Sequence, residues 1–95
     1  MKSITFDWDA EKASKNLRKH KVSFEEASSV FFDEDALEFF DPDHSINEDR
    51  FLMLGLSFRL RPLVVVYCIR EKGRRIRIIS ARKATNNERK AYKRK

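Results

Sequence analysis

One stretch of the chain, residues 63–69, is an uninterrupted apolar run, Leu63-Val64-Val65-Val66-Tyr67-Cys68-Ile69. A run of this length, rich in β-branched and aromatic side chains, is typical of a central strand covered on both faces. Turn-forming residues bound it, Arg59 to Pro62 on one side and Glu71-Lys72-Gly73 on the other. The chain is therefore expected to build a sheet around this segment.

Neighbouring segments supply the other strands. Residues 50–57 are mostly apolar, and residues 75–82 alternate between arginine or serine and apolar side chains. Three consecutive strands on short turns predict an antiparallel meander. Residues 36–40 predict a short edge strand, and Ile4-Thr5-Phe6 predicts a short first strand that ends at Asp7.

Two N-terminal helices and one C-terminal helix are expected beside the sheet. Asp9 is a candidate N-cap for a helix that ends near Lys19-His20-Lys21, whose cations suit its C-terminal dipole. Ser23 and Glu26 form a capping box, in which each side chain is expected to bond the other residue's amide. A third helix is expected from about Thr85. The 95 residues thus predict a single α+β domain, a sheet meander with the first two helices packed on it.

Charge is concentrated at one end of the sequence. The last 26 residues hold twelve Lys or Arg and two Glu, whereas the first 69 carry a net charge of −4. Arginines fixed on a strand are placed to meet phosphates, because a planar guanidinium donates a fork of hydrogen bonds. A polyanion is the first partner to consider, and nucleic acid is the commonest one.

Several classes of protein have no support in the sequence. The single Cys68 excludes an internal disulfide and suits a reducing compartment; its apolar neighbours favour a buried, inert thiol. No apolar run reaches ~20 residues and the first residues lack an apolar leader, so we expect a cytoplasmic protein with no membrane association. One Cys and two separated His do not make a zinc site, and the acidic stretch 33–49 reads as a solvated loop rather than a metal site. No cofactor is expected.

Motifs along nearly the whole chain, in the same order, resemble those of the BrnT toxin family. The N-terminal ones are Phe6-Asp7-Trp8-Asp9, Lys12, Asn16-Leu17, Lys19-His20, Val22 to Ala27, Phe31 and Asp33. The later ones are Asp43-His44-Ser45, Glu48, Arg50, Leu54-Gly55, Ser57, Leu63 to Tyr67, Arg77 to Thr85, Glu88-Arg89 and Tyr92. Lys21 and Leu60 depart from the pattern, because each stands where glycine is common.

The resemblance implies a type II toxin with a RelE-like ribonuclease fold, which cleaves RNA without a metal and so inhibits translation. It also implies a BrnA-like antitoxin with a ribbon-helix-helix DNA-binding region, in a complex that is a heterotetramer or larger. That complex would bind operator DNA only through the antitoxin and repress its own operon. Whether the RNA target is free or bound to the ribosome stays open.

Cleavage of this kind requires a base for the ribose 2′-OH, cations for the phosphorane charge and an acid for the 5′-oxygen. The expected catalytic residues are Lys19, His20, Glu48, Arg50, Arg77 and Arg82. The expected RNA-binding residues are Arg59, Arg61, Arg75, Lys83 and Tyr92.

Some of the candidate site residues also have a structural interpretation. His20 is equally a helix-ending cation. His44 is a further available acid or base, but the favoured interpretation is a turn side chain that bonds its neighbours. Glu48 and Arg50 share a strand face and are equally an ion pair. Tyr92 either stacks on a base or packs beneath the C-terminal helix. A second function, a non-catalytic basic module that binds nucleic acid or an acidic protein, requires the same charges.

Overall fold

The computed structural model describes residues 4–45 and 48–93. The strands are β1 (Thr5–Asp7), β2 (Leu37–Asp41), β3 (Arg50–Leu56), β4 (Pro62–Arg70) and β5 (Arg75–Lys83), and the helices are α1 (Ala10–His20), α2 (Phe24–Ser29) and α3 (Asn86–Lys93). Short 3-10 turns lie at Val30–Phe32, Pro42–His44 and Glu71–Gly73. The predicted α+β class is confirmed.

The five strands form one sheet in the order β1-β5-β4-β3-β2. β3, β4 and β5 make the predicted antiparallel meander, and β2 is an edge strand paired with β3. The sheet as a whole is mixed rather than antiparallel throughout, because β1, whose pairing was not predicted, lies parallel to β5, with Thr5 opposite Arg75. No hairpin joins these two strands, so no tight turn forces them to be antiparallel.

Both predicted N-caps form. The Asp9 carboxylate accepts from the Lys12 amide at 3.0 Å, and the Ser23 hydroxyl accepts from the Glu26 amide at 3.0 Å. The return bond of the capping box does not form, because the buried Glu26 carboxylate accepts from Ser57 Oγ at 2.6 Å and from the Arg61 guanidinium. An ion pair with a guanidinium stabilises a buried carboxylate better than a bond to a neutral amide does.

Four non-glycine residues in the described part of the chain have a positive φ near 60°: Lys21, Leu60, Glu71 and Lys72. Lys21, with φ of 61°, ends α1, and its amide donates to the Leu17 carbonyl at 2.9 Å. Leu60, with φ of 60°, lies in the turn between β3 and β4, where its amide donates to the Ser57 carbonyl at 2.8 Å. Lys21 and Leu60 therefore each hold a conformation that glycine would adopt without strain.

The sheet has two different faces. The helix face holds the core, in which Tyr67, Ile78 and other apolar strand residues pack against Phe24 and other residues of α2 and its flanks. The buried Asn16 fixes α1 along the edge of β5: its amide group donates to the Ala81 carbonyl at 2.8 Å and accepts from the Ala81 amide at 3.1 Å. We call the opposite face, which bears Arg50, Arg75, Arg77 and Arg82, the arginine face.

α3 crosses one end of the arginine face. It lines a groove together with Leu54 and Val64, and the Tyr92 hydroxyl at its far end donates to Asp33 Oδ2 at 2.6 Å. That bond raises the pKa of Tyr92 to about 12. Among the described residues, no helix combines the length and the apolar character needed to cross a bilayer.

Candidate active site

A row of five side-chain positions, one from each strand, crosses the arginine face. Strand register aligns them in the order Asp41, Arg50, Cys68, Arg77 and Asp7. We call this set the charged row. Neighbouring strands lie about 4.8 Å apart, so the backbones of Arg50 and Arg77 are separated by about 10 Å, with Cys68 between them.

Arg77 and its strand neighbour Arg75 are held by one carboxylate. Asp7 Oδ2 lies 3.1 Å from Arg75 Nη1, and Asp7 Oδ1 lies 3.5 Å from Arg77 Nη1. Arg75 also pairs with Glu71 at 3.2 Å, and the pKa of Arg75 is raised chiefly by its hydrogen bond to Asp7. Arg77 has the longest of these contacts, and its guanidinium retains donors for a further acceptor.

Arg50 is the other cation of the charged row. Its amide donates to Ser45 Oγ at 2.9 Å, which fixes the start of β3. Within residues 4–45 and 48–93, its guanidinium has no hydrogen-bonded or ion-paired carboxylate. The expected pair with Glu48 does not form, because Glu48 bonds Arg70 at 2.8 and 3.1 Å instead. The N–H donors of the Arg50 guanidinium therefore remain available for an anion.

The two carboxylates nearest to Arg50, those of Glu48 and of Asp41 in the charged row, have different partners. The hydrogen bonds from Arg70 lower the pKa of Glu48, so Glu48 is ionised at neutral pH and is a poor proton acceptor. Asp41, at the edge of the row, places its Oδ2 atom 2.9 Å from His44 Nδ1, where the carboxylate accepts a hydrogen bond from a protonated Nδ1. That contact occupies Nδ1 and leaves Nε2 of His44 as the nitrogen that can exchange a proton.

Cys68 lies in the middle of the charged row but is almost completely buried. Burial raises the pKa of its thiol, and the hydrogen bond to Glu48 acts in the same direction. A thiol held protonated is a weak nucleophile. The predicted buried cysteine is confirmed, and it separates the two arginines without taking part in an ion pair.

Arg82 is on the same face but is engaged by α3. Its two terminal nitrogens donate to the Glu88 carboxylate at 2.8 and 2.9 Å. Glu88 also accepts from the Thr85 amide at 2.8 Å, at the start of α3. These bonds, that from Arg82 first, lower the pKa of Glu88 to about 2. A phosphate at Arg82 would have to compete with Glu88.

The remaining predicted residues lie at the end of the molecule where the β3–β4 hairpin meets α1. Arg61 bonds the buried Glu26 and the Lys21 carbonyl, the latter at 3.0 Å, and Arg59 lies 3.8 Å from Glu26. The Ala84 amide donates to the Pro62 carbonyl at 2.9 Å, which brings the end of β5 to the same place. We call this region the hairpin rim; its cationic and titratable side chains are Lys19, His20, Lys21, Arg59, Arg61 and Lys83.

Comparison with known proteins identifies the chain's relatives. A family model described as "Ribonuclease toxin, BrnT, of type II toxin-antitoxin system" matches residues 8–88. The chain belongs to the BrnT family. The 1.1 Å crystal structure of the Brucella abortus ribonuclease toxin BrnT superimposes with a TM-score of 0.64, at 20% identity, covering 90% of this chain and all of that one. No curated protein matches the chain.

The BrnT fold divides the sequence-predicted residues into three groups. Arg50 and Arg77 lie in the charged row, with Arg75 and Glu48 close to it. Arg82 bonds Glu88 of α3, and Tyr92, which belongs to α3, bonds Asp33. The hairpin-rim residues lie apart, since Asn16 holds α1 at Ala81, about 13 Å along β5 from Arg77.

Sequence reasoning missed Asp7, Asp41 and Arg70 as parts of the site. Asp7 was interpreted only as the end of a strand, and Asp41 only as a turn residue. The period-two spacing of Arg75 and Arg77 did predict that they share a face. No pattern in the sequence indicates which carboxylate lies opposite them, because β1 and β2 reach the row from distant parts of the chain.

Proposed function

We propose that the chain is a metal-independent endoribonuclease that binds the scissile phosphate of RNA between Arg50 and Arg77. The observation that supports this best is the charged row, in which two guanidiniums flank the buried, neutral Cys68. Arg50 has no carboxylate partner among the described residues, and Arg77 has only a contact of 3.5 Å to Asp7. Two arginines whose backbones lie about 10 Å apart can close on one phosphate from opposite sides, because each side chain reaches several ångströms. Such donors stabilise the charge that grows on a phosphorane.

The Asp41–His44 pair is the proton-transfer group of this proposal. Asp41 fixes the imidazole through Nδ1, and Nε2 takes the proton from the ribose 2′-OH. The 2′-oxygen then attacks the phosphorus, the bond to the 5′-oxygen breaks, and that oxygen takes a proton from water. The products are a 2′,3′-cyclic phosphate and a 5′-hydroxyl end. Glu48 supports the site by holding Arg70 rather than by accepting the proton.

Other expectations complete the proposal. A BrnA-like ribbon-helix-helix antitoxin neutralises the enzyme, in a heterotetramer or larger complex that binds operator DNA through the antitoxin and represses the operon. The RelE-like type, the cytoplasmic location and the single domain of residues 1–95 belong to the same proposal. Lys19, His20, Arg59, Arg61 and Lys83 on the hairpin rim serve to hold RNA outside the reacting phosphate. Arg82 holds a neighbouring phosphate when Glu88 releases it.

The test compares cleavage rates of purified variants on one RNA. Arg50→Ala and Arg77→Ala are each expected to lower the rate by ~10²-fold or more. Arg74→Ala is the matched control, because it removes the same charge from the exposed turn before β5. The control should stay within a few-fold of the wild type. Wild-type rates in folded Arg50→Ala and Arg77→Ala would remove the charged row from the active site. RNA binding without cleavage by the wild type would favour the second candidate, a non-catalytic basic module.

A further inference from the structure

A second row of side chains lies beside the charged row on the arginine face. Register aligns Phe39, Leu52, Val66 and Ser80 across β2 to β5. Phe39, Leu52 and Val66 each lie two positions along their strand from a member of the charged row. Ser80 lies three positions from Arg77, because β5 has one extra residue at a bulge. The two rows are therefore about 7 Å apart on the same face.

The second row opens into an apolar groove beneath α3. Phe39, Leu52, Leu54 and Val64 line it from the sheet, and Ala91 lines it from the helix. Its volume is about 270 Å³, just below the ~300 Å³ at which small-molecule sites begin. A single planar ring system fits such a groove, whereas a whole nucleotide does not. Phe39 is 47% exposed, so a ring face is available to an incoming group.

Glu88 is the one charged residue among those that line the groove, in the part of the chain that the structure describes. It is an acceptor fixed by Arg82, and the exocyclic amino groups of cytosine, adenine and guanine are donors. The groove thus offers an aromatic surface for stacking and one acceptor at its edge.

We propose that this groove is a nucleobase subsite, in which an unpaired base of single-stranded RNA stacks on Phe39 while the adjoining phosphate lies on the charged row. The proposal rests on the proposed function. The spacing supports a nucleotide, because a phosphate and the base of the same nucleotide are separated by one ribose, a distance similar to that between the two rows. Unpaired bases commonly stack on aromatic side chains in proteins that bind single strands.

The edge strand supplies its own control. Phe40 follows Phe39, is 51% exposed, and lies on the helix face, where its ring is 5.6 Å from that of Phe51. Phe39→Ala and Phe40→Ala therefore remove equal side chains from opposite faces of one strand. Circular dichroism and urea unfolding of both variants serve as the folding control, so that a change in binding can be distinguished from unfolding.

The experiment measures dissociation constants by fluorescence anisotropy with a short 2′-O-methyl oligoribonucleotide, which cannot be cleaved through its 2′-oxygens. Phe39→Ala should weaken binding by about 5- to 100-fold, and Phe39→Trp should restore it. Phe40→Ala should bind within about twofold of the wild type, as expected for a residue outside the groove. On an abasic backbone of the same length, Phe39→Ala and the wild type should bind equally, because no base is present to stack.

Each alternative result has a distinct meaning. If the wild type cleaves RNA but Phe39→Ala and Phe40→Ala bind the oligonucleotide equally, the subsite is refuted and the proposed function stands. If Phe39→Ala loses the same factor on the abasic backbone, Phe39 does not stack on a base and the subsite is also refuted. If Phe39→Ala keeps RNA affinity but loses affinity for a co-expressed antitoxin, the groove accepts a protein side chain instead. If the wild type neither cleaves nor binds RNA, the proposed function itself fails.

Discussion

Replacing Glu88 by glutamine tests how α3 is held on the arginine face. The pKa of Glu88 is lowered from 4.5 to about 2, first by its hydrogen bonds to Arg82. A full shift of this size corresponds to roughly 3 kcal/mol, at about 1.4 kcal/mol for each pKa unit. The side chains of Arg82 and Glu88 are 39% and 32% exposed, so solvent screens the pair and we expect about 1 kcal/mol to remain.

The pH dependence follows from the direction of this shift. A carboxylate whose folded-state pKa is depressed stabilises the protein above its unfolded pKa and loses that contribution as pH falls through the folded value. The free energy of unfolding of Glu88→Gln should therefore be about 1 kcal/mol below that of the wild type at pH 7. The difference should shrink as pH falls from about 4.5 towards about 2.

Urea unfolding followed by Trp8 fluorescence measures this difference, because Trp8 packs edge-on against the core residue Phe24, with ring centroids 5.9 Å apart. Glu11→Gln is the control: its carboxylate lies 3.4 Å from Lys15 on the exposed surface of α1, and its loss should lower the unfolding free energy by no more than about 0.5 kcal/mol. Equal stabilities of Glu88→Gln and wild type at pH 7, or a difference that persists undiminished at low pH, would refute the reasoning.

Three further predictions concern stability and are measured by the same urea unfolding. Lys21→Gly and Leu60→Gly should each raise the unfolding free energy by up to about 1 kcal/mol, because glycine adopts φ near 60° without strain; a loss of stability would contradict this. Arg61→Ala should cost about 3 kcal/mol, since it strands the buried carboxylate of Glu26. Gly55→Ala should cost about 1–3 kcal/mol, because its Cβ would lie 2.8 Å from Val30 Cγ1.

Local signals in the sequence predicted most of the elements. Asp9 and Ser23 mark the starts of α1 and α2 because their side chains satisfy amides that the helix itself leaves unpaired. The apolar run 63–69 lies within β4, Pro62–Arg70. It has buried residues on both faces of the sheet, with Val65 in the core and Val64 and Cys68 on the arginine face. The tight turn at Glu71–Gly73 then fixed the direction of β5.

The site was less predictable because it depends on register between distant strands. Asp7 and Arg77 are 70 positions apart, and their alignment follows from the parallel pairing of β1 with β5. No turn in the sequence predicts this pairing, because no hairpin joins the two strands. Glu26 illustrates the same limit: its sequence neighbours predicted a capping bond, but Arg61 from the β3–β4 hairpin provides a better partner. Side-chain partners brought by tertiary contacts override local preferences.

The most direct test of the central claim is incubation of the purified protein with RNA in excess EDTA, followed by analysis of the cut ends. The account predicts cleavage that leaves 2′,3′-cyclic phosphate and 5′-hydroxyl ends, and that is lost in the Arg50→Ala, Arg77→Ala double variant. Cleavage that disappears with EDTA and returns with a divalent metal, or ends that carry 5′-phosphate, would contradict a mechanism in which arginines alone stabilise the phosphorane.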